Sequence, residues 1–163
     1  MPLVSTMLFL PAALAVVVAF FPRGAERAVR AFTLGGMLLG LGLAAALVHR
    51  FQAGAGMQLV ERAPWVEAFG IEYHVGVDGI NIVLVLLHAI CSYTGVLISY
   101  AVKERVKEYY LFYLTLITGV FGVFLSLDVF FFYFFYEMAV IPMYPLIGIW
   151  GSAAKPSPKS TPR

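Results

Sequence analysis

Glu137 is the residue whose type and place could do chemistry, because it is a carboxyl group inside an otherwise uncharged apolar stretch, Val129 to Trp150. An ionisable side chain within a membrane span is costly and by default points to a function. At a helical rise of about 1.5 Å per residue, Glu137 lies about 12 Å beyond Val129 in a hydrocarbon layer of about 30 Å. A glutamate side chain does not reach water from there. Desolvation disfavours the charged form of any carboxyl and a nearby cation favours it, so a carboxyl balanced between the two can take up and release a proton.

Helical spacing puts Tyr133, Phe134, Ile141 and Tyr144 on the same face as Glu137, two of them with hydroxyls. Pro142 and Pro145 lack amide hydrogens and obstruct the carbonyls of Met138 and Ile141, so the helix is expected to bend just past the glutamate and to line a cavity. Tyr133, Tyr144 and Pro142 are therefore supporting candidates. The plainer alternative for Glu137 is a carboxyl paired with a polar group of another helix, and for the aromatics it is packing or lipid contact. His88, near the middle of another apolar stretch, has the chemistry of a proton relay. A lone histidine in a leucine-rich helix is more often neutral and bonded to a neighbour. Asp78 and Asn81, around Gly79, read as caps of the helix that follows. Lys103 to Glu108 reads as a solvated turn, and Gly36 and Gly40, with Gly35 and Gly42 nearby, read as helix packing.

The elements that must carry these residues follow from composition. Of 163 residues 61% are hydrophobic and 12% charged, with a mean hydropathy of +0.89, more apolar surface than a soluble domain tolerates. A net charge of +2 without a basic run excludes a nucleic-acid partner, and one cysteine, Cys91, excludes a disulfide framework or a cysteine metal cluster. The glycines form no nucleotide-binding fingerprint. Five stretches are long enough to cross a bilayer: about 3–22, 31–49, 80–102, 109–127 and 129–150. All must be helices, because hydrocarbon leaves no other partner for the backbone. This includes Val129 to Tyr136, which would read as a strand in water. The fold class is an all-α membrane bundle of five spans over residues 1–151.

Arg23, Arg27 and Arg30, then Lys103, Arg105 and Lys107, then Lys155, Lys159 and Arg163 occupy alternate connections. The opposite side holds the segment from Arg50 to Gly79, with Glu61, Glu67, Glu72 and Asp78 against Arg50 and Arg62, and a tight connection at Asp128. The N-terminus is therefore placed outside and the C-terminus inside. A cleaved signal peptide is the alternative for the first stretch, but such peptides carry positive charge before the apolar core, whereas here three arginines follow it.

Two stretches carry a resemblance. Gly76-Val77-Asp78-Gly79-Ile80-Asn81 resembles the signature before the third helix of the subunit M family of NADH–quinone oxidoreductase, the bacterial counterpart of mitochondrial NADH dehydrogenase subunit 4. Asp128, Phe132-Tyr133, Phe135-Tyr136-Glu137, Ile141-Pro142-Met143-Tyr144, Gly148 and Trp150-Gly151 resemble its fifth helix. Glu108-Tyr109-Tyr110 and Gly122-Val123-Phe124 sit where the family has similar residues. The resemblance implies a multi-pass subunit of the inner-membrane arm of complex I, moving protons while other subunits bind NADH, flavin, iron–sulfur clusters and quinone. No cofactor or metal is expected on this chain, and its partners would be the other membrane subunits and the bilayer. It also implies that Glu137 is the essential glutamate of the first half-channel, working with lysines of later helices in a family of about fourteen spans. A subunit of a sodium/proton antiporter, or an inert membrane fragment, are the alternatives. Residues 152–163 depart from the family and, rich in Pro and Ser, read as a disordered tail of a frameshifted or prematurely ended copy.

The charge pattern makes a direct prediction. Alkaline phosphatase joined within residues 50–79 is expected to be active and phosphatase joined at Lys103 inactive; activity at Lys103 would reverse the assigned orientation.

Overall fold

The computed structural model describes residues 2–22, 24–52, 54, 56–66 and 70–151. Arg23, Glu67 and the tail expected over 152–163 lie outside the described residues. Among those described, five helices are long and apolar enough to span a membrane: α1 (Leu3–Phe20), α2 (Glu26–Arg50), α3 (Asn81–Ile98), α4 (Val106–Leu125) and α5 (Val129–Trp150). A short 3-10 turn, Ser99–Ala101, extends α3. The stretch Val129 to Tyr136, strand-like in composition, is helical as a hydrocarbon environment requires.

α5 keeps the expected bounds, and the other helices depart from theirs by a few residues. α2 begins at Glu26 rather than 31, so Arg27 and Arg30 belong to its first turns instead of a loop. Long basic side chains reach the interface from a helix that continues past the hydrocarbon, and Arg30 pairs with Glu26 one turn earlier at 3.9 Å. α4 begins at Val106 and ends at Leu125, against the expected 109–127.

α4 is the central element: it packs on α5 and α1 extensively and on α3 and α2 more lightly, while α3 and α5 barely meet. Its buried residues Tyr110, Leu114, Ile117, Phe121 and Leu125 meet Val4, Met7, Leu8 and Val18 of α1 in one core. α1 thus packs as an integral helix of the bundle. α2 lies on α1 through Gly36, where an added methyl would meet the Leu14 side chain, and Gly40, where it would lie 3.4 Å from Leu10 Cδ2. Gly35 and Gly42 face open space, so two of the four glycines make the packing contact.

The segment between α2 and α3 holds a feature the sequence reading did not anticipate. β1 (Gln58–Val66) and β2 (Ile71–Val77) form an antiparallel pair with Ala63 opposite Tyr73 and two irregularities in register. Ile71, Tyr73 and Val75 alternate with Glu72 and His74, the period of a strand with one buried face, and Gly70 adopts a left-handed φ of 65° before β2.

This hairpin ties together one end of the bundle. Glu61 accepts from the Val4 and Ser5 amides at 2.9 and 3.0 Å and from the Ser5 hydroxyl, closing the open N-terminus of α1. The Ser5 hydroxyl also meets Tyr73 Oη at 2.7 Å. The Leu127 amide donates to the His74 carbonyl at 2.8 Å, and the Tyr73 and Trp65 rings both stand edge-on to Phe131 of α5.

At the opposite end, basic side chains close helix C-termini, where carbonyls lack partners and the dipole favours cations. Lys107 donates to the carbonyls of Ala19 and Phe21 at 2.8 and 2.7 Å. Arg30 donates to those of Tyr100 and Val102 at 3.2 and 2.6 Å. Arg105 pairs with Glu108, and Trp150 Nε1 donates to the Glu104 carbonyl at 2.9 Å. The turn is exposed from Lys103 to Arg105, as expected, and the same connection anchors its neighbours: Lys107 donates to open carbonyls at the end of α1, and the Glu104 carbonyl accepts from Trp150 of α5.

Burial, and to a smaller degree the Glu61 charge, raise the pKa of Tyr73 above its ordinary value of 10.0, while the Ser5 hydrogen bond opposes them. The folded state therefore holds the phenolic proton more tightly than the unfolded chain. That stabilisation is complete below pH 10 and is lost as pH rises through the raised value. Alkaline pH is expected to lower the thermal midpoint in detergent above about pH 10, and Tyr73→Phe to remove that part of the loss. An unchanged alkaline profile in the variant would contradict the assignment.

Candidate functional site

α5 begins at Asp128, whose carboxylate accepts from the amides of Phe130 and Phe131 at 2.8 and 3.2 Å. A side chain that satisfies the first orphan donors fixes where the helix starts, and hence sets Glu137 about two and a half turns in. The helix then runs unbroken to Trp150 with Pro142 and Pro145 inside it.

Which way Glu137 faces follows from the burial pattern. Phe131, Phe135 and Pro142 are the buried residues of α5, and at 100° per residue they share one face, against α4. Glu137 is exposed and lies on the opposite side of the helix. Tyr133 (62% exposed), Ile141 (67%) and Tyr144 (85%) extend the same outward stripe. The structure thus brings Glu137, Tyr133 and Tyr144 onto one face as the spacing predicts. Among the described residues neither hydroxyl hydrogen-bonds the carboxyl, and no cation pairs with it. Pro142 points the other way, into the α4 contact, so it does not share the glutamate's face. Among the described residues the carboxyl stands on the outer surface of the bundle.

His88 sits elsewhere. Its Nε2 lies 3.4 Å from both the Ile117 carbonyl and the Ser92 hydroxyl, and its ring meets Phe121 edge-on at 4.4 Å. It belongs to the α3–α4 interface, and α4 stands between it and α5. Its neighbours are those of a packed, hydrogen-bonded core histidine. Asp78 and Asn81 cap α3 as expected. The Asp78 carboxylate accepts from the amides of Ile80 and Asn81 at 2.9 and 2.7 Å, while Asn81 Oδ1 accepts from the Asp78 amide and its Nδ2 donates to the carbonyls of Gly76 and Phe124.

The sequence reading missed what holds α5. Gly119 and Gly122 of α4 lie directly under it: a methyl on Gly119 would stand 2.6 Å from the Ala139 amide nitrogen and 2.8 Å from the Phe135 carbonyl oxygen, and one on Gly122 would strike the Phe135 ring. The signal was present as two glycines three apart in a run of large apolar residues, with Ala139 the small residue among aromatics opposite.

The chain is similar to known proteins. A protein called NADH-quinone oxidoreductase subunit M from Rhodobacter capsulatus is 38% identical over 154 residues, 91% of this chain and 30% of the relative. The protein of the same name from Rickettsia felis is 30% identical over 158 residues, 93% of this chain and 32% of the relative. NAD(P)H-quinone oxidoreductase chain 4 2 of Thermosynechococcus vestitus is 30% identical over 156 residues, 94% of the chain and 29% of the relative. The chain is a homologue of NADH-quinone oxidoreductase subunit M. It spans about a third of the length of the relatives it matches. No protein-family model matches it. The fold agrees with the homology: a chain in the structure of respiratory complex I from Thermus thermophilus with bound NADH superposes with a TM-score of 0.74 over 92% of this chain and 29% of that one, at 23% identity. Subunit M homology and five apolar helices together make this a multi-pass membrane protein.

Proposed function

We propose that this chain supplies part of a proton-translocating subunit in the membrane arm of an NADH–quinone oxidoreductase, with Glu137 as its proton-carrying acid. The observation that carries the reading is the glutamate's placement: mid-span, on the face of α5 turned away from every helix described here. A carboxyl facing bare hydrocarbon would cost about 2.5–3.5 kcal/mol or more. That cost is avoided where the face meets polar protein groups, a cation or a water-filled path, and water or a titratable group within hydrogen-bond reach lets the carboxyl exchange its proton. Tyr133 and Tyr144 flank it with hydroxyls that can orient water along the same stripe.

The remainder of the reading follows from the relatives. NADH, flavin, iron–sulfur clusters and quinone would be held by other subunits, and this chain would do no redox chemistry itself. Its partners would be the neighbouring membrane subunits, in the inner membrane, with the hairpin end outside and the basic end inside. The cation that balances Glu137 would come from outside the described residues, among which none pairs with it. NADH oxidation and quinone reduction would drive proton export by changing the field at that cation and so the proton affinity of Glu137.

Glu137→Gln, which keeps the size and removes the ionisable group, is expected to abolish proton uptake into inverted vesicles driven by NADH, while assembly and NADH oxidation with an artificial acceptor persist. Glu137→Asp is expected to retain part of the pumping. Full pumping by Glu137→Gln would reject the reading and leave the inert-fragment alternative standing.

A further inference from the structure

α5 touches the rest of the bundle almost entirely through α4, with only a small contact to β2. Its two ends are pinned, by the Leu127 amide on the His74 carbonyl and the Phe131 aromatic contacts at one and by Trp150 at the other. Between those ends, the depth and rotation of the helix are set where its buried side meets α4. That meeting is centred on Phe135 and Ala139, the residues two before and two after Glu137 in sequence. Phe135 is 2% exposed, and its carbonyl oxygen together with the Ala139 amide nitrogen and Cα approach the place a Cβ of Gly119 would take to within 2.6–2.8 Å. Real side chains do not tolerate such contacts, and the atoms concerned are backbone, which cannot rotate aside. At Gly122 the obstruct is the Phe135 ring and its Cβ, the latter 2.6 Å away, held in a packed aromatic set with Phe131.

From this geometry we infer that Gly119 and Gly122 are positioning residues for Glu137. By letting the two backbones meet, they hold the carboxyl at the distance from its opposing face that proton transfer requires. The inference rests on the reading of Glu137 given above and adds to it a second pair of residues, on a different helix, that never touch the carboxyl. A methyl on Gly119 can be accommodated only by pushing α5 outward or turning it about its axis. Either motion carries Glu137 directly, because the obstructing atoms are within two residues of it. Displacements of about 1 Å at a reacting group can cost about a hundredfold in rate. The ionisable groups of the two helices lie away from Gly119 and Gly122: α5 carries Tyr133, Tyr136 and Tyr144 besides Glu137, all exposed, and those of α4, Lys107, Glu108, Tyr109, Tyr110 and Tyr113, lie in its first two turns, with Tyr109 against Trp150. A change in the pH profile would therefore report on Glu137 itself.

The test compares Gly119→Ala, Gly122→Ala and Glu137→Gln in the assembled complex in inverted membrane vesicles. NADH oxidation with an artificial acceptor and native-gel mobility report assembly; NADH-driven proton uptake is recorded across pH. The expected result is that both glycine variants assemble and oxidise NADH, that proton uptake falls by about an order of magnitude, and that the pH of half-maximal uptake shifts. Wild-type uptake with an unshifted profile in both glycine variants, while Glu137→Gln abolishes uptake, would overturn this inference and leave the role of Glu137 intact. Normal uptake in Glu137→Gln would instead strike the underlying reading. Loss of assembly in both glycine variants would show that the seam merely holds the fold, and would overturn the positioning role as well.

Discussion

The contact between the Gly119 backbone and the backbone of α5 at Phe135 and Ala139 is the constraint on which the candidate site depends. A helix in hydrocarbon gains nothing from hiding apolar side chains from lipid, since lipid is as apolar as they are; close packing and hydrogen bonding hold it in place. Close packing needs small residues, and α4 supplies them on the side that meets α5 while reserving Leu114, Ile117 and Phe121 for the core with α1 and α3. The consequence runs outward through one helix diameter. With Phe131, Phe135 and Pro142 turned to α4, the residues half a turn away, Tyr133, Glu137 and Tyr144, face outward. The carboxyl's direction is thus decided by residues on its helix's opposite side.

The two ends of the bundle use polar chemistry that the middle cannot. On the hairpin side a carboxylate from β1 closes the N-terminus of α1, and Asp78 and Asp128 close those of α3 and α5. On the other side Lys107 and Arg30 close the C-termini of α1 and α3. Anions at N-termini and cations at C-termini agree with the helix dipoles. The same residues that fix orientation by the basic-loop rule are spent in the fold on orphaned carbonyls. Local structure and topology are served by one set of side chains.

Much of this was legible in the sequence. Apolar length gave all five helices, since a bilayer offers the backbone no alternative; spacing put Tyr133 and Tyr144 beside Glu137; Asp78 and Asn81 read correctly as a cap. What escaped was whatever depends on which helices are neighbours. Ser5, Glu61 and Tyr73 are distant in sequence, and nothing local says that they meet. The strand alternation of Ile71 to Val75 is short and lay inside a segment read only for charge. Pro142 was read as a distortion beside the glutamate, whereas its face of the helix is the one against α4. Phasing a helix takes a reference point, and Gly119 and Gly122 provide it only once α4 is known to be the partner. The glutamate's outward direction was likewise beyond reach, because periodicity says which residues share a face and not what that face meets.

For Glu137 to carry protons as proposed, the stripe of Tyr133, Glu137 and Tyr144 must be covered by protein in the working complex. The most direct test is a spin label attached through Tyr144→Cys, with collision by oxygen dissolved in the bilayer as the readout. In the assembled complex the account predicts low oxygen accessibility, like that of a label in a protein interior. Accessibility equal to that of a label on a lipid-facing helix would contradict it, since Glu137 would then face hydrocarbon with nothing to exchange its proton with.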